Sequence, residues 1–290
     1  RDPELDLPGP LSELELYRNL ESLAGLNRHA GQGPSFLGAG AYNHFIPAVV
    51  QAIASRGEFL TAYTPYQPEV SQGTLQVTYE LQSMVCQLFG MDVANAGMYD
   101  AASSLAEAAL MACRVTRRYK VAYLDTLSPA HVQVLSSYTG PQDIQTYSVS
   151  PGASIAIQPE TACLVAQHPN FFGYMEDLTT LEQTAHGAGA LFVVSTDPVA
   201  TAMFRPPSSY GADIVTADGQ PLGIPLSFGG PYIGLFSCNT QHLRQMPGRI
   251  VGRTVDTNDR TAYVLTLQTR EQHIRRERAT SNICTSEALM

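Results

Sequence analysis

The chain of 290 residues (31.3 kDa) is 44% hydrophobic and 15% charged, with a mean hydropathy of −0.06. That is apolar material for one large domain, or a domain with an appended arm, and it excludes a disordered or collagen-like chain. The formal charge of −9 gives no electrostatic support to a nucleic-acid partner, and no apolar run approaches the roughly 18–20 residues a membrane-crossing helix needs.

In chain order, Ser12 is a fitting N-cap, and Leu14, Leu16, Tyr17, Leu20 and Leu23 space out an amphipathic helix within an N-terminal arm over 1–30. Residues 31–45 read as a Gly-rich loop. Gly38 and Gly40 suggest a dinucleotide loop, but Asn43 stands where a third glycine belongs and no strand precedes them. Pro47 suits the first turn of a helix reaching Ala54. A Pro-rich loop over 61–73 leads into a helix over 74–89 that stops at Gly90. Asp100 opens an Ala-rich helix over 100–118. Apolar runs at 120–125, 144–149, 162–167, 191–196 and 213–217 then read as strands, with helices near 128–138 and 176–187 between them. Strands separated by helices predict an α/β fold with a mostly parallel, helix-covered sheet filling 31–290. Runs at 232–237 and 262–268 are expected to complete that sheet.

Ligands collect beyond the carboxyl ends of such strands. Asp100, Ser103 and Ser104 open a helix whose N–H groups could hold a phosphate, though the Asp100 charge favours a plain cap. Asp197 could hydrogen-bond a protonated pyridine nitrogen, or simply cap the turn before Pro198. The stretch 218–231 is too rich in Gly and Pro for regular structure and too apolar for a plain connection, which points to a site or a subunit contact. The loop 63–73 holds tyrosines, glutamines and Glu69 between fixed prolines, the make-up of a substrate or interface loop. Residues 267–284 concentrate four arginines. Glu271 and Arg275 are spaced for a helical ion pair, and the stretch is either a solvated helix face or a patch for an acidic partner.

Basic residues exclude the most. Sixteen of the seventeen are arginine, so Lys120 alone could form a Schiff base, and its place at a strand start reads as snorkelling. The five cysteines include no CxxC pair, and with no N-x-S/T acceptor they suit a cytoplasmic protein with free thiols. The seven histidines form no HExxH, so no metal site is expected.

FLGAGAYNHFIPAVVQAI (36–53), YTPYQPEVSQGTLQ (63–76), NAGMYDAASSLAEAALMA (95–112), DGQPLGIPLSFGGPYIG (218–234) and LQTREQHIRRERATSNICT (267–285) closely resemble the glycine cleavage system P-protein family, in particular the α subunit of its two-subunit form. The resemblance implies a pyridoxal-phosphate-dependent transferase fold of the aspartate aminotransferase type (fold type I). It implies an oxidoreductase complex of glycine catabolism, in which glycine is decarboxylated and its aminomethyl group passes to the lipoyl arm of H-protein. The pyridoxal 5'-phosphate would be held by the β partner, subunit 2. Setting Ile224-Pro225 and Phe228-Gly229-Gly230-Pro231 against their counterparts puts Gln220 at the Schiff-base lysine position, so this chain would contribute no covalent catalytic residue of its own.

On the same resemblance, Tyr63, Thr64, Tyr66, Gln67 and Glu69 are expected near the partner's site. Gly38, Gly40, Tyr42, Asn43, His44, Phe228, Gly229, Gly230 and Pro231 are expected at the subunit interface, and Arg275, Arg276 and Arg278 are candidates for docking acidic H-protein. Family α subunits are longer, so the C-terminal small domain is expected to be absent here. Ala101 replaces an expected glycine, which weakens any phosphate role for that helix start. The competing expectation is a non-catalytic subunit of the same fold that stabilises a catalytic partner.

Overall fold

The computed structural model describes residues 6–38, 40–60, 64–152, 155–279 and 283. The chain divides into two compact units, residues 1–38 and 39–290. In the first, helix α1 (Glu13–Ala24) starts on a capping box. The Ser12 hydroxyl accepts from Glu15 N, and the Glu15 carboxylate takes Ser12 N at 3.0 Å.

The second unit is built on a seven-stranded sheet. Its strands are β1 (Val93–Ala94), β2 (Lys120–Leu124), β3 (Gln145–Val149), β4 (Thr161–His168), β5 (Leu191–Thr196), β6 (Ile214–Asp218) and β7 (Gly234–Cys238). They lie in the order β1-β7-β6-β5-β4-β2-β3. The pairs from β3 to β6 are parallel, whereas β7 runs antiparallel to both β6 and β1.

Successive strand residues point to opposite faces, and here both faces are dry. Val121, Cys163, Val165, Val193, Ile214 and Phe236 enter one core cluster with helices α5 (Ala101–Thr116) and α6 (Pro129–Thr139). Their neighbours Ala122, Leu164, Phe192, Val194, Val215 and Leu235 enter the other with α4 (Gln72–Phe89) and α7 (Leu178–Gly187). The alanines of α5 explain its central place: twelve of its sixteen residues are buried, and small side chains let it lie close on the sheet. Helix α4 ends as expected at Gly90, in the left-handed conformation. Two short helices, α2 (Ala48–Ala54) and α3 (Gly57–Leu60), precede it.

Two expectations need correction. Residues 261–266 do not join the main sheet. They form β9 (Thr261–Thr266), paired antiparallel with β8 (Ile250–Val255) in a separate two-stranded ribbon. The ribbon is only partly buried: Val251 and Leu265, paired across it, pack on Leu75 of α4, while Arg253, Thr254, Val255 and Thr261 are exposed. A half-buried hairpin suits an outer layer and not a sheet covered on both faces. Its turn is signalled by Asp256, whose carboxylate takes the N–H groups of Asn258 (2.8 Å) and Arg260 (3.0 Å). Nor does 267–278 form a long helix. It is a four-residue helix α8 (Gln272–Arg275) between 3-10 turns, and Glu271 precedes it with its carboxylate facing Arg249 and His273. Arg275 Nε donates to Thr269 O at 3.0 Å instead of pairing with Glu271 along a helix.

Lys120 starts β2, its Nζ 3.4 Å from Pro159 O, as a snorkelling residue would sit. Cys113, Cys163 and Cys238 are buried free thiols, and Cys86 is half-buried and free. Cys284 lies outside the described residues. Among the described residues no helix is long and apolar enough to cross a membrane.

Candidate functional site

Side chains gather into two clusters at the loops flanking the sheet. The first begins where β6 ends. The Asp218 carboxylate accepts from Gln220 N at 2.8 Å and from Ala101 N, the first residue of α5, at 3.4 Å. Gln220 is 1% exposed, and its amide is fully engaged with backbone. Its Oε1 accepts from Tyr42 N (3.2 Å), while Nε2 donates to Tyr42 O (3.1 Å) and Ile224 O (2.8 Å). Gln220 thus ties the loop carrying Tyr42 to the turn after β6. At the start of α5, Asp100 acts as the plain cap: its Oδ1 accepts from Ser103 N at 2.7 Å. Asp197 also caps its own turn, its Oδ1 accepting from Val199 N (2.7 Å) and Ala200 N (3.0 Å).

Burial pushes the Asp218 carboxyl up to about 6. Its two N–H donors oppose the rise, and the nearby Asp100 and Asp197 carboxylates add to it. A folded value above the ordinary ~3.9 means that the folded chain binds this proton more tightly than the unfolded one. The associated stability is therefore complete below about pH 4 and is lost as pH rises toward 6. Asp218→Asn is expected to flatten that loss, on the order of 2 kcal/mol. Urea unfolding at pH 4.5 and pH 7 checks it, and an equal wild-type-to-variant difference at both pH values would refute it.

The second cluster joins the loop before α4 to the β8–β9 ribbon. Gln72 opens α4, and its amide pairs with both backbone groups of Tyr263, Nε2 to O at 2.9 Å and Oε1 from N at 2.9 Å. Gln82, three turns on, does the same for Val251. With the ribbon fixed there, Arg249 at its edge is 8% exposed and donates from Nη2 to Tyr66 Oη at 3.1 Å. Its guanidinium also stands 5.5 Å from the centre of the Tyr66 ring. Glu271 Oε2 lies 3.9 Å from Arg249 Nε and 3.5 Å from His273 Nδ1. The His273 ring meets Tyr66 edge-on at 6.0 Å.

The structure thus brings Tyr66 and the 268–276 segment together, two stretches just over two hundred residues apart. Thr64 is buried, its carbonyl accepting from Tyr66 N at 2.8 Å. Gln67 and Glu69 are exposed around the 3-10 turn Pro68–Val70. Tyr63 lies outside the described residues.

Gly38 belongs to the first unit, and Gly40 (φ +107°) to the second. Asn43 is exposed, and His44 is half-buried with its Nε2 enclosed and lacking a hydrogen-bond partner among the described residues. Phe228 is 82% exposed on a loop where Ser227 and Phe228 both take positive φ, followed by Gly229, Gly230 and Pro231. That loop is closed by Tyr232 Oη donating to Leu226 O at 2.7 Å. Arg275 and Arg276 are exposed, while the Arg278 side chain lies outside the described residues.

A pyridoxal phosphate does not fit the residues of this chain. Asp218 and Asp100 put two carboxylates on the helix start where a phosphate would need N–H groups, and a glutamine amide cannot form an imine. A cleft of about 560 Å³ along α5, lined by Glu107, Arg114 and Tyr138 among others, shares no lining residue with either cluster. Among the described residues no group of three or more His, Cys, Asp or Glu is placed to hold a metal.

Arg249 and Gln82 escaped the reading of the sequence, while Gln72 and Asp218 lie within the singled-out stretches 63–73 and 218–231 without a role of their own. The one local signal for Arg249 was an arginine set between Pro247-Gly248 and the apolar start of β8.

The family profile of the glycine cleavage system P-protein matches residues 2–290. A probable glycine dehydrogenase (decarboxylating) subunit 1 of Desulforamulus reducens is 53% identical over 294 residues, covering 99% of this chain and 66% of that protein. Its namesake in Thermomicrobium roseum is 50% identical over 300 residues, covering 100% and 67%. The chain therefore spans about two thirds of the length of these relatives. A crystal structure of glycine decarboxylase (P-protein) of the glycine cleavage system, in inhibitor-bound form, superposes with a TM-score of 0.95 at 46% identity, covering 99% of this chain and 66% of that one. A sphingosine-1-phosphate lyase of Burkholderia pseudomallei, 14% identical with a TM-score of 0.59 over 90% of this chain and 66% of that one, shares the fold alone. With a seven-stranded, mostly parallel sheet under helices and a family match over almost every residue, the chain belongs to the glycine cleavage system P-protein family.

Proposed function

We propose that this chain acts as the α subunit of glycine decarboxylase in a cytoplasmic complex. A β partner, subunit 2, carries the pyridoxal 5'-phosphate, and the complex decarboxylates glycine and passes the aminomethyl group to the lipoyl arm of H-protein. The carrying observation is Gln220, a buried amide paired on every side with backbone; on the resemblance it stands where the Schiff-base lysine is expected. The relatives' shared designation as subunit 1 supports a division of labour with a second subunit.

In this reading the chain's contribution comes from its loops. Tyr63, Thr64, Tyr66, Gln67 and Glu69 face the partner's site. The exposed Phe228, on a backbone that holds Ser227 and Phe228 at positive φ, packs with Gly229, Gly230 and Pro231 against the partner, as do Gly38, Gly40, Tyr42, Asn43 and His44. Arg275, Arg276 and Arg278 offer positive charge to acidic H-protein.

The test is reconstitution with intact subunit 2. Tyr66→Phe is expected to lower kcat/KM for glycine by about tenfold or more, as loss of one hydrogen bond in a reacting complex does, while assembly by size-exclusion chromatography is unchanged. Unchanged turnover in Tyr66→Phe and Glu69→Ala, with unchanged assembly, would support the second reading, a purely structural subunit. That reading has its own observation: Asp100, Asp197 and Gln220 are all engaged in holding this chain's backbone.

A further inference from the structure

We infer that Arg249 is a positioning residue that fixes Tyr66 as an outward hydrogen-bond donor, aimed at an oxyanion in the site shared with the partner. The inference rests on the proposed function and deepens it.

Hydrogen-bond polarity sets this role. A guanidinium has five N–H donors and no acceptor, so in the 3.1 Å contact with Arg249 Nη2 the Tyr66 oxygen must accept. The phenolic proton is then directed elsewhere. The Arg249 guanidinium holds one side of the hydroxyl, the His273 ring meets the Tyr66 ring edge-on, and the residue is 47% exposed, so the proton turns away from Arg249 toward the open side. A tyrosine in water donates and accepts freely; this one is set to donate outward.

Arg249 is itself held for the task. It is buried, its backbone O accepts from Ala96 N at 2.8 Å, and the Glu271 carboxylate faces its Nε. The ribbon carrying it is clamped to α4 by Gln72 and Gln82. A fork of this kind is not matched by lysine, whose ammonium is a point charge on a flexible stem.

An outward phenol donor suits a carboxylate or a phosphate oxygen. In the complex these come from two sources, the amino-acid substrate and the partner's cofactor. The experiment separates them in the reconstituted complex with subunit 2, using Arg249→Met, Arg249→Lys, Tyr66→Phe and the corresponding double variants. Two readouts are taken: kcat and KM for glycine, and release of pyridoxal phosphate followed by its absorbance during dialysis.

Arg249→Met is expected to raise KM for glycine about tenfold if the acceptor is the substrate carboxylate, or to speed cofactor release about tenfold if it is the phosphate. In the Tyr66→Phe background the same substitution is expected to add nothing, because its effect runs through the phenol. A general packing role would instead add its effect in both backgrounds. Arg249→Lys is expected to fall between wild type and Arg249→Met. Should Arg249→Met fail to assemble, the Arg249→Lys cycle carries the test alone. Additive effects, or Arg249 variants equal to wild type while Tyr66→Phe is impaired, would overturn this inference and leave the proposed function standing. A Tyr66→Phe complex equal to wild type would overturn both.

Discussion

Gln220→Ala is expected to destabilise the chain by about 3 kcal/mol, since each buried backbone group left unpaired costs roughly 1–3 kcal/mol. Three such groups lose their partner: Tyr42 N, Tyr42 O and Ile224 O. Water can reach part of the Tyr42 loop, which keeps the sum below three full penalties. For a domain of this size the loss corresponds to a fall in Tm of about 6–12 °C. Hydrogen exchange should localise it, with amides around residue 42 losing protection while those of β4 and β5 keep theirs.

Gln220→Lys makes a sharper companion. A lysine returns the donors but has no acceptor for Tyr42 N, and it brings a buried charge, so it too is expected to be less stable than wild type. It is also expected to form no borohydride-reducible adduct with added pyridoxal phosphate. Asp218 and Asp100 still hold the start of α5 against a phosphate. A loss of less than about 1 kcal/mol in the alanine variant would show that the amide is dispensable. A stable adduct at position 220 would show that the carboxylates around it do not keep the cofactor out.

These two expectations mark what the sequence could and could not say. The strands that form the sheet core were readable because both faces are buried, so each is a short run of apolar residues between turn signals. Gln220 was picked out through the resemblance alone, from its place before Phe228-Gly229-Gly230-Pro231. Its hydrogen bonds were not, because Tyr42 lies 178 positions away. The same holds for Arg249, whose partners Tyr66 and Glu271 are supplied by loops on either side of it in the chain. Periodicity reports which face of an element is buried; it carries nothing about which buried polar groups meet. The error over β9 has a related cause. A half-buried strand of Tyr263, Val264 and Leu265 looks like any other apolar run until its partner β8 is seen to lie outside the sheet.

Among the described glycines, Gly234→Ala is expected to be the most damaging methyl, at about 3–5 kcal/mol, the upper range for overpacking against an unyielding neighbour. A Cβ at this first residue of β7 would stand 2.3 Å from Asp100 O, 2.8 Å from Asp100 C and 2.1 Å from Ser104 Oγ. Two of those atoms are backbone at the start of α5, so no side-chain rotation relieves them. Gly234 also exchanges both backbone hydrogen bonds with Met98, at 2.9 and 2.7 Å, which pins the turn leading into α5. Either the strand or the helix start must move. Asp218 is the residue paired with Gly234 across the sheet, and its contact with Ala101 N depends on that same seat. The variant is therefore expected to lose the Asp218-dependent fall in stability between about pH 4 and 6 together with the stability itself. Gly252→Ala in β8 is the internal control. Its added Cβ would meet only Thr266 side-chain atoms, at 3.5 and 3.6 Å, so a change within about 0.5 kcal/mol is expected there. Urea unfolding of the two variants at pH 4.5 and pH 7 decides the matter. If Gly234→Ala proved as mild as Gly252→Ala, α5 would not be held against β7 as closely as its carbonyl demands, and the case for a helix start closed by Asp218 would fall with it.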